Sequence, residues 1–154
     1  MSEGQVEIAI DAMGGENSPY KVLKGAEIFL EKEKNTKIIF FGDELLINQN
    51  IKKNNLNIFN FEIINTKDSI SDEDSVNTIL RSKKNSSIYK GLEFAKKNEN
   101  AGFVSAGSTA ALMVLSRLHM GMIEGIDRPA ICSLVPNKKN YSIMLDLGAN
   151  VIVS

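Results

Sequence analysis

Short apolar runs alternate along this chain with longer amphipathic or charged segments, the pattern of a parallel sheet whose strands are joined by helices. The first run, Val6–Ile10, closes at Asp11 and leads into a glycine pair, Gly14-Gly15. Ser18 followed by Pro19 predicts a helix N-cap with proline in the first turn. The helix beyond sets Val22, Leu23, Ala26, Phe29 and Leu30 on one face. Lys37–Phe41 reads as a second strand stopped by Gly42-Asp43, with Asp43 suited to cap a short helix through Leu45, Leu46 and Ile51. Lys52–Asn57, crowded with lysine and asparagine, reads as a loop, and Phe59–Ile64 as a third strand.

A polar, acidic stretch, Ser69–Ser75, precedes helix candidates at Asp74–Ser82 and Ser86–Lys97. Gly102–Ser105 is a short strand running into Ala106-Gly107-Ser108-Thr109. Ala110–Met122 is the most apolar helix, and apolar residues on most of its faces predict burial against the sheet and beneath a second covering surface. Ala130–Val135 and Tyr141–Leu147 are further strands, the second continuing into Gly148-Ala149-Asn150. No internal repeat or low-complexity block interrupts the pattern. The expectation is one α/β domain over residues 1–154, with a mostly parallel sheet flanked by helices.

Composition narrows the function classes. A chain of 154 residues with 43% hydrophobic and 24% charged residues can bury a genuine core. A formal net charge of -1 leaves no global field to draw the protein toward nucleic acid or an anionic membrane, so electrostatic recognition must be local. Cys132 is the one cysteine, which excludes an intramolecular disulfide and a cysteine-rich metal site. Its apolar neighbours predict a small buried hydrophobe rather than a catalytic thiol. The first residues, MSEGQVEIAI, lack the basic start and long apolar stretch of a secretory signal. No run approaches the ~18 consecutive apolar residues of a spanning helix. A cytoplasmic protein is expected, with peripheral membrane contact left open.

Ligands in an open parallel sheet bind beyond the carboxyl ends of the strands, and each unusual cluster here falls at such an end. Ser105–Thr109 joins a strand to a helix through small residues. It offers backbone N–H groups and hydroxyls to an anion, or else a tight turn with Ser108 or Thr109 as an ordinary N-cap. Asp11–Asn17 supplies two acids, an amide and a flexible glycine pair; Asp11 either orients a substrate group or satisfies nearby loop amides. Asp146 and Asn150 resemble Asp11 in placement and are candidates to face it across a cleft. Arg81-Ser82-Lys83-Lys84-Asn85-Ser86-Ser87 is the one dense basic patch, its positive charge beside hydroxyls suited to phosphate or an acidic partner surface, or simply a solvated segment between helices. Arg128 is placed either to clamp a phosphate or to pair with a carboxylate, and His119 reads as a packed or solvent-tipped side chain. No metal-ligand spacing appears, and neither glycine-rich nucleotide fingerprint is present, which disfavours a nucleotide-binding module.

Five stretches taken together, IAIDAMGGENSP, RSKKNSS, FVSAGSTAALM, GIDRPAI and LDLGANV, resemble the bacterial phosphate acyltransferase family in family order from Ile8 to Val151. The resemblance implies transfer of a fatty acyl group from the thioester of acyl carrier protein to inorganic phosphate, giving acyl phosphate for phospholipid synthesis. It implies an α/β fold similar to phosphotransacetylases and to the isocitrate and isopropylmalate dehydrogenases. It further implies a homodimer, peripheral membrane association, and no metal or organic cofactor. Phosphate oxygen is itself the nucleophile in such a reaction, so no serine or cysteine triad is needed.

On this reading Gly107, Ser108 and Thr109 contact phosphate or the oxyanion, while Asp11, Gly14, Gly15, Asp146 and Asn150 line the cleft. Arg81, Lys83 and Lys84 meet an anion or the carrier protein. Glu16 departs from the family, which carries aspartate there. Family members run roughly twice this length, so the chain is expected to be the amino-terminal half of the family fold, which makes a catalytically incomplete fragment one alternative. A phosphotransacetylase-like transferase using acyl-coenzyme A is the other.

Overall fold

The computed structural model describes residues 5–71 and 73–146. Two compact units divide the chain, Met1–Met120 and Gly121–Ser154. In the first, strands β1 (Glu7–Asp11), β2 (Lys37–Gly42), β3 (Phe61–Asn65) and β4 (Ala101–Val104) alternate with helices α1 (Tyr20–Lys32), α2 (Glu44–Lys53), α3 (Val76–Ser82), α4 (Ser87–Lys97) and α5 (Thr109–Met120). The four strands form one sheet in the order β3-β2-β1-β4, and every pairing is parallel.

β2 shows why this sequence folds this way. A strand covered on both faces needs apolar residues at successive positions rather than at every second one. Ile38 and Phe40 enter the cluster under α1 and α2, with Leu23, Ala26, Leu30 and Ile47. Ile39 and Phe41 turn to the opposite face with Ala9, against Phe94 of α4. Burying Phe40 and Phe41 completely contributes about 1.5–3 kcal/mol each. Strand order places β1 and β4 on either side of a topological switch, because the chain moves outward from β1 through β2 to β3 and then returns across β1 to β4.

Polar side chains start three of the helices. Asp43 accepts from the Leu46 amide at 2.9 Å, Ser75 from Thr78 at 3.2 Å and Ser86 from Tyr89 at 3.3 Å. Helix α1 departs from the expectation. Ser18 does not cap it; its hydroxyl donates back to the Gly14 carbonyl, and the helix begins after Pro19 with no side-chain cap.

Helix α5 departs as well. It packs on α3 and α4 and buries Ala111, Leu115 and His119, while Leu118 and Met120 stay about half exposed. The apolar residues on its outer face are therefore uncovered among the described residues. The His119 imidazole meets the edge of Tyr89 with ring centroids 4.5 Å apart, and its Nε2 is buried with no hydrogen-bond partner.

The second unit holds a hairpin of β5 (Cys132–Pro136) and β6 (Tyr141–Leu145), paired antiparallel from Cys132↔Leu145 to Pro136↔Tyr141. Its turn is tied by Asn137, whose side-chain oxygen accepts from the Lys139 and Asn140 amides. Cys132 is exposed at the end of this ladder, not buried as its apolar neighbours suggested. It sits at the terminal pair of a two-stranded ribbon, where no second layer covers it among the described residues of this unit.

Two glycines give opposite predictions. A methyl group at Gly91 of α4 would collide with the Phe103 ring, lying 2.6 Å from Cδ2, whereas one at Gly25 of α1 meets nothing within 4 Å. Gly91→Ala is expected to destabilise by about 1–3 kcal/mol through overpacking. Gly25→Ala is expected to stabilise by about 0.5–1 kcal/mol through helix propensity. Urea-denaturation midpoints measure both.

Burial pushes the His119 imidazole below its ordinary value near 6.5; Glu93 opposes the shift, and Lys96, Lys90 and Lys97 reinforce it. The folded state therefore resists a proton that the unfolded chain accepts. Stability from this contact is complete above the ordinary value and falls as pH drops through it toward the depressed one. The difference in urea midpoint between wild type and His119→Leu is expected to change between about pH 7.5 and pH 5.5, with wild type losing more on acidification.

Candidate functional site

The loops that leave β1 and β4 meet at the carboxyl end of the sheet. Asp11, the last residue of β1, is 1% exposed. Its carboxylate accepts from the Met13 amide at 3.0 Å and from the Ser105 hydroxyl at 2.7 Å, a bond between residues 94 positions apart. Ser105 Oγ in turn accepts from the Gly107 amide at 3.0 Å. With its proton committed to Asp11, the serine oxygen is left as an acceptor, so one carboxylate sets the course of both loops.

Gly14 and Gly15 make this approach possible. A methyl at Gly14 would strike the Asp11 carboxylate and lie 2.6 Å from the Gly107 amide nitrogen. Gly15 has φ +86°, in the region that favours glycine, and a methyl there would lie 3.1 Å from Ala106 Cβ and from its carbonyl oxygen. The two backbones touch where side chains would keep them apart.

Beyond this wall opens a cleft of about 640 Å³ lined by Asp11, Met13, Gly14, Gly15, Glu16, Ser69, Ile70, Ser71, Ser87, Ile88 and Ala106–Thr109. Helix α5 starts at its edge, with the Leu112 amide bonded to the Ser108 carbonyl at 3.0 Å. Ser108 therefore holds the capping position through its backbone. Among the described residues the hydroxyls of Ser108 and Thr109 have no hydrogen-bond partner, and the amides of the first turn are left to whatever enters. Among the described residues no lysine, arginine, histidine or cysteine lines the cleft. The positive ends of the α5 peptide dipoles stand in this cleft beside the Asp11 and Glu16 carboxylates. On the other side of the same wall runs an apolar groove of about 610 Å³, floored by Ile8, Ile10 and Val104 and walled by Val22 and Phe29.

The structure thus brings together Asp11, Gly14, Gly15, Gly107, Ser108 and Thr109. Asp146 belongs to the second unit, where it follows β6 with φ 59° and its amide donates to the Ile131 carbonyl at 2.7 Å. Asn150 lies outside the described residues. Arg81, Lys83 and Lys84 do not line the cleft. Lys83 is occupied structurally, donating to the Ser69 carbonyl at 2.8 Å and pairing with Asp74 at 3.5 Å, while Arg81 and Lys84 are exposed. Sequence reasoning missed Ser69 and Ser71. Ser105 and Ser87 stand in clusters it singles out, but the bond from Ser105 to Asp11 depends on β1 and β4 being neighbours. Among the described residues no group of three or more His, Cys, Asp or Glu is placed to hold a metal. No helix there is long and apolar enough to cross a membrane.

If Asp11 and Ser105 act as a unit, their removal cannot be additive. Asp11→Asn and Ser105→Ala are each expected to destabilise by about 1.5–3 kcal/mol, the range for a hydrogen bond to a charged group. The double variant is expected to fall short of their sum by about 0.5–3 kcal/mol in a double-mutant cycle measured by urea unfolding.

A family model described as fatty acid synthesis protein matches residues 6–154. The phosphate acyltransferase of Pelagibacter ubique is 43% identical over 95% of this chain and 43% of its own length. Those of Caldicellulosiruptor bescii and Clostridium tetani are 39% and 37% identical, each over 94% of this chain and 43% of their own length. The chain thus spans less than half the length of these curated relatives. The match takes in both strand-end loops that build the cleft, and the chain belongs to the fatty acid synthesis protein family, in which these relatives are named phosphate acyltransferases.

Proposed function

We propose that this chain carries the phosphate-binding part of an acyltransferase that moves a fatty acyl group from the thioester of acyl carrier protein to inorganic phosphate, giving acyl phosphate for phospholipid synthesis. The observation that carries this reading is the uncapped start of α5, held open to the cleft by the Asp11–Ser105–Gly107 bonds. Such a helix start accommodates an anion through its free amides and dipole.

The reaction asks little else of the protein. A phosphate oxygen attacks the thioester carbonyl carbon, a tetrahedral oxyanion forms, and the carbon–sulfur bond breaks to release the thiolate, which takes up a proton. Ser108 and Thr109 are suited to hold the phosphate or the oxyanion, and Gly107, whose amide is already donated to Ser105, joins Asp11, Gly14 and Gly15 in shaping the cleft around them. The apolar groove sharing the Asp11, Gly14, Gly15 and Ala106 wall offers a surface of the polarity an acyl chain requires. Arg81 and Lys84, exposed near the start of α4, suit an acidic carrier surface. The homodimer and peripheral membrane contact belong to this same reading and rest on the resemblance.

The test is acyl-phosphate formation by the chain from acyl-acyl carrier protein and phosphate, trapped with hydroxylamine as the hydroxamate. Phosphate-dependent product is expected, with Ser108→Ala or Thr109→Ala lowering the rate about 100–1,000-fold, the range for a lost oxyanion donor. Equal turnover of acyl-coenzyme A would instead favour a phosphotransacetylase-like donor. A folded chain that binds phosphate without product would reduce the reading to a binding fragment.

A further inference from the structure

The strand-end loops do not complete the cleft. Its far side is the start of α4, where Ser87 and Ile88 line the same space as Ser108 and Thr109. Two helix amino termini thus converge on one cavity, from helices of 11 and 12 residues. At α4 the two serines of the Asn85-Ser86-Ser87 turn do different work. Ser86 is fully buried; its hydroxyl caps the Tyr89 amide, and its backbone bridges to Asp68. Ser87 is 3% exposed, lines the cleft, and its hydroxyl has no hydrogen-bond partner among the described residues.

The Ser87 oxygen is not sealed in the core but opens on the cleft that the residue lines. The Met13 and Gly107 amides of that lining are already donated, whereas the Ser108 and Thr109 hydroxyls are not. Ser86 takes the Tyr89 amide and the bridge to Asp68 engages the Ser87 amide, which leaves the Ile88 amide available beside the Ser87 hydroxyl. Across the cleft stand the first-turn amides of α5 with the Ser108 and Thr109 hydroxyls. Donors from two separate helix starts bordering one cavity suit an anion with several acceptor oxygens.

We propose that Ser87 and the amino terminus of α4 form the second half of a phosphoryl-binding cradle whose first half is the start of α5, with the Ser87 hydroxyl donating directly to the phosphoryl oxygen. This rests on the proposed function and extends it to a residue outside the strand-end loops. It also gives RSKKNSS a different role from the one its charge suggests: its serine enters the cleft while its cations do not.

The experiment is phosphate binding by isothermal titration on the intact chain, with inorganic phosphate and methyl phosphate as separate probes. They distinguish a free ion from an esterified one. Ser87→Ala is expected to weaken binding about tenfold, the loss of one hydrogen bond to a charged ligand. Ser87→Thr is expected to retain it, and Ser87→Asp to abolish it by placing a negative charge against the ligand. Unchanged urea midpoints for Ser87→Ala and Ser87→Thr separate lost contact from lost fold. If Ser108→Ala weakens binding while Ser87→Ala does not, the two-helix cradle is overturned and the proposed function stands. If neither probe binds wild type, both fall.

Discussion

The architecture of the cleft hangs on one carboxylate. Asp11 ends β1 in nearly complete burial, and the Ser105 hydroxyl it draws in comes from the far side of the topological switch. A buried ionised group with too few partners would destabilise this fold by several kcal/mol. Asp11 is supplied by the Met13 amide on its own loop and by Ser105 on the other, so the charge is satisfied only when the loops are together. The glycines at 14 and 15 follow from that requirement, since side chains there would hold the backbones apart. Loop geometry, helix start and cavity wall all follow from keeping this group satisfied.

The rest of the sheet works as a rigid base for that contact. β2 is buried on both faces, and its parallel registers with β1 and β3 align the strand ends along one edge. Because the loops extend from that edge, groups far apart in the chain, from residue 11 to residue 109, reach a single cavity without any long loop of their own. Parallel pairing is thus the step that converts an ordered core into a place for a ligand.

Much of this was legible in the sequence. The unbroken apolar run of β2, the alternation of runs and amphipathic segments, and the glycine-rich strand ends gave the fold class and the strand-end loops. Asp43 was readable as a cap because a lone acid before a helical stripe has few other roles. Ser18 was misread because a serine before proline looks like a cap, while its hydroxyl has a nearer acceptor in the Gly14 carbonyl. Cys132 and the outer face of α5 misled because apolar neighbours predict burial only where something packs against them. In Ser86-Ser87 the two residues are chemically identical and adjacent; only the rotation of one residue along the helix start decides which caps and which faces the cavity. Lys83 illustrates the opposite error, a cation read as available that is already spent on Asp74 and the Ser69 carbonyl.

The absence of lysine, arginine and histidine among the described residues of the cleft lining has a consequence for how such a site responds to its surroundings. Peptide N–H groups and serine hydroxyls do not titrate in the physiological range, and their dipoles are fixed by the helices that carry them. They offer no ammonium to acetylate and no guanidinium to methylate. A donor set of this kind keeps one charge state across neutral pH and favours the more ionised form of a bound anion, so the pH dependence of binding there follows the guest's own protons.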